Sequence, residues 1–244
     1  MSRSACRLLP YAVADGPHNM AADEVLLESA AGGVASLRFY GWSGPTVSLG
    51  YFQPHAARRD DPRRAALPYV RRPSGGLMLV HHHELTYALA LPPGEQGHGG
   101  RRWLGLVHRA IASALAEQGV LSRPHEPPDR PAETPLCFRH LTAGDLLVAG
   151  HKVVGSAQRK QRGALMQHGG VLLAQSSCAP ELPGLRELTG RDVVVEEACA
   201  AVAHWITSET GWGMCPDEWR REELSRTEVL AREKYARPEW NDRR

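Results

Sequence analysis

The chain has no long apolar run and no excess of charge of one sign. No stretch of its 244 residues stays apolar long enough to cross a bilayer. The opening segment, MSRSACRLLPYAVADG, has two early arginines but no sustained apolar core, so it does not read as a signal peptide. These two absences together point to a cytoplasmic protein. Lysine and arginine number 29 against 27 aspartate and glutamate, a balance that does not announce a nucleic-acid binder. Cysteine is scarce and odd in number: five residues, at 6, 137, 178, 199 and 215, with no two close in sequence. That spacing argues against a disulfide framework and against a zinc knuckle. No Gly-x-Gly-x-x-Gly follows a predicted strand and no Walker A motif occurs, which disfavours a dinucleotide fold or a P-loop enzyme.

The remainder is the composition of a folded globular chain, 42% hydrophobic and 23% charged, long enough to bury a sizeable core. Residues 20–31 read as a helix capped by Asn19 and stopped by Gly32-Gly33, with Val25 and Leu26 on its apolar face. ASLRFYGW and PTVSLGYF read as strands, and so do LMLV and LTYALAL on either side of a histidine cluster. Residues 101–118 have a helical rhythm, with Leu104, Val107, Ile111 and Leu115 on one side and Gly119 at the end. Five prolines in residues 122–136 leave no room for a regular helix or strand. DLLVAG, KVVGSAQ and GALMQHGGVLLA then predict an antiparallel meander. From about residue 193 the texture becomes helical. The predicted class is α+β, a mixed sheet packed with helices, in a single catalytic domain over residues 1–244.

Four segments carry candidate chemistry. RRPSGG places Arg72 beside a Ser74-Gly75-Gly76 turn, which is either a plain hairpin turn or a backbone cradle for a carbonyl or phosphate. HHHELTY puts His81 and His83 on one face if the strand continues through them, with Glu84 adding a carboxylate. The spacing is not His-Glu-x-x-His, so a wall beside a pocket is favoured over a metal site. Cys137 is either an inert buried thiol or a nucleophile that takes an acyl group and hands it to an amine. Lys152 is either an exposed strand lysine or a charge held over the small-residue floor Gly155-Ser156-Ala157. There it could stabilise an oxyanion or tune the cysteine. His168 lies near enough in pattern to flank the same pocket. Six arginines at 58, 59, 63, 64, 71 and 72 form either a solvated face or a docking surface for an acidic partner.

Taken in order, NMAADEVLL, LRFYGWSGPTVSLGYFQ, VRRPSGGLMLVHHHELTYAL, CF at 137–138 and DLLVAGHKVVGSAQRKQRGALMQHGGVLL resemble the lipoate-protein ligase and octanoyltransferase superfamily. The likeness is strongest to its cysteine-containing octanoyltransferases. The resemblance implies the catalytic fold of biotin and lipoate protein ligases, related to class II aminoacyl-tRNA synthetases. It also implies a tunnel for a medium-length acyl chain, with Leu77 and Leu79 among the residues that would hold it. Lys152 matches the family's pocket lysine, and Cys137 matches the cysteine that carries the acyl group in the transferase branch. The implied donor is an octanoyl-acyl carrier protein. The implied acceptor is a lysine of a lipoyl domain or of the glycine-cleavage H protein, and neither a metal nor a nucleotide is needed. Neither a membrane nor a nucleic acid is an expected partner. His151 stands where relatives usually have arginine, and Gly170 where they usually have serine. The alternatives are an ATP- and magnesium-dependent lipoate ligase, an octanoyl amidotransferase between carrier domains, and a non-catalytic acyl-carrier-binding protein.

Overall fold

The structure is a computed structural model and describes residues 5–94, 100–126 and 135–244. In chain order the elements begin β1 (Ala5–Leu8), β2 (Ala12–Ala14), α1 (Gly16–Ala31), β3 (Ala35–Trp42), β4 (Thr46–Leu49), α2 (Pro62–Ala65), β5 (Tyr69–Arg71), β6 (Leu79–His81) and β7 (Glu84–Leu91). They continue with α3 (Gly100–Glu117), β8 (Arg123–Pro124), β9 (Leu146–Val148), β10 (His151–Gln161) and β11 (Ala164–Leu172). The last are α4 (Leu185–Thr189), α5 (Val195–Thr210), β12 (Gly213–Pro216), α6 (Arg221–Leu230) and α7 (Pro238–Asn241). Among the described residues, nine strands form one mixed sheet in the order β12-β1-β3-β7-β11-β10-β9-β8, with β2 beside β3. A small second sheet runs β5-β4-β6.

β3 and β7 are buried at every position, because helices cover both faces of the large sheet. On β7, Leu85, Tyr87, Leu89 and Leu91 join the core with α3 and α5, while Ala88 and Ala90 pack on the α1 side. The period-2 alternation therefore sorts large residues to one helical layer and alanines to the other. The predicted meander is present as β9, β10 and β11, all antiparallel. Its two turns, Ala149-Gly150 and Arg162-Gly163, hold both residues at positive φ, as two-residue hairpin turns of the mirror-image type require.

Three local expectations change. α1 starts four residues before Met20, since Asp15 is the cap and accepts from the His18 N–H at 2.9 Å. Asn19 lies inside the helix, where its side chain donates to the carbonyls of Ala14 and Gly41. The proline-rich stretch contains a two-residue edge strand, β8, paired with β9, and an edge tolerates proline. Its residues 127–134 lie outside the described residues. The C-terminal part is not wholly helical: β12 inserts between α5 and α6 and pairs parallel to β1, more than 200 residues away.

Candidate active site

One cavity lies where α1, the large sheet and the small sheet meet. Counted out to its mouth, with the open solvent there included, it holds about 550 Å³. Its apolar wall includes Met20, Tyr40, Trp42, Leu79 and Phe138. Two small-residue segments converge on it, the Gly75-Gly76 turn from one side and the paired strand stretches Gly155-Ser156-Ala157 and Gly169-Gly170 from the other.

Cys137 lines this cavity at the start of a short 3₁₀ turn, Cys137–Arg139. Its N–H donates to the Met78 carbonyl at 2.8 Å, which fixes the turn against the small sheet's edge. None of the other four cysteines lines it. Burial pushes the Cys6 and Cys199 thiols up to about 12, so both stay protonated at neutral pH. Cys178 packs against an apolar cluster, and Cys215 is exposed.

Lys152 is buried, and its ammonium stands 4.0 Å from the Cys137 sulfur. It is held by Asp145 Oδ2 at 2.7 Å and by the His140 carbonyl at 3.0 Å. Asp145 is itself buried and accepts from the Thr142 N–H and hydroxyl at 2.8 and 3.1 Å. A buried charge needs such a partner, because removing one member of the pair costs on the order of 3–5 kcal/mol. Gly155 makes the geometry possible: a Cβ there would stand 2.5 Å from Lys152 Cε and 3.0 Å from Nζ.

The opposite wall is a network of buried polar groups. Arg72 donates to the Ser48 carbonyl and hydroxyl, each at 2.7 Å, and to the carbonyls of Gly75 and Leu77. Burial pulls the Arg72 guanidinium below its ordinary range, against the opposing pull of Cys137, Tyr40 and Glu84. Its Nε has no partner among the described residues and is buried beside the cavity. His81 stacks on Trp42 at 3.7 Å and bridges Ser48 and Glu84, both at 2.5 Å. His168 bridges Ser74 at 2.5 Å and Asp23 at 2.8 Å. The latter resembles a Ser-His-Asp array, but Ser74 is buried behind the wall and does not line the cavity. Burial pushes the Asp23 carboxyl up, yet Arg38, His168 and Tyr40 together hold it below its ordinary value.

Of the residues predicted for the site, Cys137, Arg72, Gly75, Gly76, Leu79, His81, Gly155, Ser156, Ala157 and His168 line the cavity. Lys152 and Leu77 do not: Lys152 is buried next to Cys137, and Leu77 contributes its carbonyl to Arg72. His83 is also elsewhere: the chain leaves β6 after His81 and turns before Glu84, so strand alternation does not run through the cluster. His83 is exposed and stacks on His82 at 3.6 Å. The arginine run is divided, with Arg59 and Arg63 exposed, Arg58 half-buried and the other three internal. Arg64, Arg71 and Arg72 are buried, and Arg63 pairs with Asp61. Arg71 ties the C-terminal turn to the Gly50–Gln53 loop through the carbonyls of Asn241, Gly50 and Gln53.

A separate arginine cluster sits over the loop at residues 51–53. Tyr51 donates its N–H to the Ser74 carbonyl, and Gln53 donates to the Pro135 carbonyl, two residues before Cys137. Over this loop Arg243 lies 5.0 Å from the Tyr51 ring, Arg159 lies 5.6 Å from it, and Arg244 lies 5.5 Å from the exposed Phe52. Asp23, Asp145 and His108 escaped the sequence reading. The available signal was polar residues at apolar-stripe positions, as with His108 next to Val107 in α3.

A family model described as the lipoyl protein ligase A/B catalytic domain matches residues 15–180. The chain belongs to this family, and its fold is the catalytic-domain fold of that family. It is 33% identical to octanoyltransferase LipM of Symbiobacterium thermophilum, covering 98% of both chains. It is 31% identical to octanoyltransferase LipM of Geobacillus kaustophilus, covering 100% of both. The crystal structure of lipoate-protein ligase A bound with ATP superposes with a TM-score of 0.79 at 20% identity, covering 98% of both chains, which supports the fold. Within the family the chain is an octanoyltransferase.

Proposed function

We propose that the chain transfers an octanoyl group from an acyl-carrier thioester to a lysine of a lipoyl domain or of the glycine-cleavage H protein, through an acyl-Cys137 intermediate. One observation carries the reading: a cavity-lining thiol 4.0 Å from a buried ammonium, at the wall of a largely apolar pocket. In this reading the Cys137 sulfur attacks the thioester carbonyl and the carrier's thiol leaves. The Lys152 ammonium, held by Asp145, offsets negative charge on the sulfur and on the carbonyl oxygen. The acyl chain lies along Met20, Trp42, Leu79 and Phe138. Each buried methylene adds about 0.8 kcal/mol, so pocket depth sets chain-length preference. The acceptor lysine then attacks the acyl-enzyme and Cys137 is released. The donor thioester is already activated, so the proposal requires no nucleotide or metal.

The test is donor dependence. Labelled octanoyl-carrier thioester without ATP should modify an apo-lipoyl domain, whereas free octanoate with ATP and magnesium should not. Transfer from free octanoate that needs ATP would replace this reading with the ligase.

A further inference from the structure

Two glycines face each other on the cavity floor, between Cys137 and a buried carboxyl, Glu84. We infer that Gly155 and Gly170 form the lane along which the acyl chain leaves Cys137, and that Glu84 closes it at about eight carbons. The inference rests on the acyl-Cys137 reading above.

Strand register places the lane. Gly155 on β10 is opposite Gly170 on β11, Gly170 is opposite Thr86 on β7, and Thr86 is opposite Tyr40 on β3. Residues directly opposite each other share one face of a sheet, and all four of these line the cavity. The first two carry no side chain, so the floor is bare across β10 and β11. The bare stretch begins at the nucleophile. A Cβ on Gly155 would stand 3.0 Å from Lys152 Nζ, which is 4.0 Å from the Cys137 sulfur. It ends at Glu84, since a Cβ on Gly170 would stand 3.4 Å from the Cδ and from both carboxyl oxygens of that residue.

The Glu84 carboxyl is not free to swing aside. Its Oε1 accepts from the Thr86 hydroxyl at 2.6 Å and from His81 Nδ1 at 2.5 Å. Thr86 accepts from the Trp42 indole at 2.9 Å, and His81 stacks on the same indole at 3.7 Å. Behind His81, Ser48 is fixed by Arg72 at 2.7 Å. A wall of methionine or leucine repacks around an extra methylene, whereas this one would have to break hydrogen bonds between buried groups. The length limit is therefore steep.

Distances set where it falls. The sulfur is 4.0 Å from Lys152 Nζ, Nζ is 3.0 Å from the Gly155 Cβ position, and the Gly170 Cβ position is 3.4 Å from Glu84 Cδ. The two Cβ positions are about 4.5–5.5 Å apart across the antiparallel pair, so these steps laid end to end put the carboxyl at most about 16 Å from the sulfur. A terminal carbon stops about 3.5 Å short of it, which leaves about 12 Å. At ordinary bond lengths and angles an extended chain gains about 1.25 Å per carbon, so octanoyl reaches about 10–11 Å from the sulfur and decanoyl about 13 Å. The first fits and the second does not.

The experiment gives the full chain one equimolar mixture of hexanoyl-, octanoyl- and decanoyl-carrier thioesters with an apo-lipoyl domain. Mass spectrometry reads the three amides on the domain and the adducts on the enzyme. Ratios within one mixture cancel any general loss of activity. The lane predicts that the parent favours octanoyl over decanoyl by at least about 10-fold. Gly170→Ala sets a methyl in the lane, and should lower the octanoyl-to-hexanoyl ratio at least about 10-fold. The backbone accepts alanine there, because Gly170 is not among the residues with positive φ and the methyl meets Glu84 at ordinary contact distance. Glu84→Ala removes the stop and should raise decanoyl toward octanoyl. If that variant fails to fold, Gly170→Ala carries the test. An unchanged ratio in Gly170→Ala overturns the lane, and so does a parent that uses decanoyl as well as octanoyl. A parent that makes amides while Cys137 carries no acyl group overturns the acyl-Cys137 reading, and the lane loses its starting point with it, a distinguishable failure.

Discussion

Gly155→Ala is the smallest change that reaches the centre of the site. The new methyl would stand 2.5 Å from Lys152 Cε, 3.0 Å from Nζ and 3.6 Å from Asp145 Oδ1. Comfortable carbon contacts begin near ~3.5 Å, so the side chain would have to give way by roughly 1 Å. It is not free to swing, because Asp145 and the His140 carbonyl hold the ammonium at 2.7 and 3.0 Å. The backbone is not the obstacle, since Gly155 is not among the residues with positive φ. In a strand interior alanine would otherwise gain about 0.5–1 kcal/mol over glycine. Overpacking of this kind costs about 1–3 kcal/mol, leaving a net loss of about 0–2.5 kcal/mol. The effect on rate should be larger. Moving the ammonium by roughly 1 Å should slow acylation of Cys137 about 10²-fold. Gly75→Ala is the matched control, because it lines the same cavity and its new methyl meets nothing within 4 Å. Urea denaturation and rapid-mix acylation measure the two effects separately. Acylation at the parental rate in Gly155→Ala would refute the assignment of Lys152 to the thioester.

Asp145→Asn keeps the shape but strands the buried ammonium, and should cost about 3–5 kcal/mol at neutral pH. A buried ammonium without its counter-ion is relieved by losing its proton, so part of the loss should return in alkaline solution. Urea midpoints at neutral and alkaline pH check this, and a pH-independent difference would contradict it. The held-down Asp23 carboxyl contributes stability that is fully present above its unfolded pKa of ~3.9 and is lost as pH falls through its lower folded pKa. An acid titration of the urea midpoint should show that slope in the parent and a shallower one in Asp23→Asn. Arg159→Glu combined with Arg243→Glu should raise KM for the acyl carrier several-fold at low salt, and added salt should shrink the difference. Arg64→Ala should lower stability and leave that KM unchanged, because Arg64 is buried against Glu181 at 2.7 Å.

Local patterns made much of the fold legible. The β9–β11 meander, the long strands β3 and β7 and the helix α3 all have clear periodicity and glycine-marked ends. β12 was missed because GMCP has almost no strand pattern and gains its place from β1, across nearly the whole chain. The histidine run misled in the other direction, because alternation was extended across a turn that the consecutive histidines conceal. Arginines in a run look solvated, yet Arg71 and Arg72 are buried because backbone carbonyls satisfy them from several segments at once. Cys137 and Lys152 could be nominated from sequence. Asp145 could not, since its role depends on the turn that brings it under Lys152.

Whether Cys137 carries the acyl group can be read from one intact mass. The protein is mixed with octanoyl-carrier thioester, without ATP and without acceptor, then weighed and mapped by proteolysis. The proposed mechanism predicts a single octanoyl adduct on the Cys137 peptide, removed by hydroxylamine, and no thioester adduct in Cys137→Ser. Adding an apo-lipoyl domain should discharge the adduct into an amide. Parental transfer by Cys137→Ala, or an adduct on Cys178 instead, would contradict it.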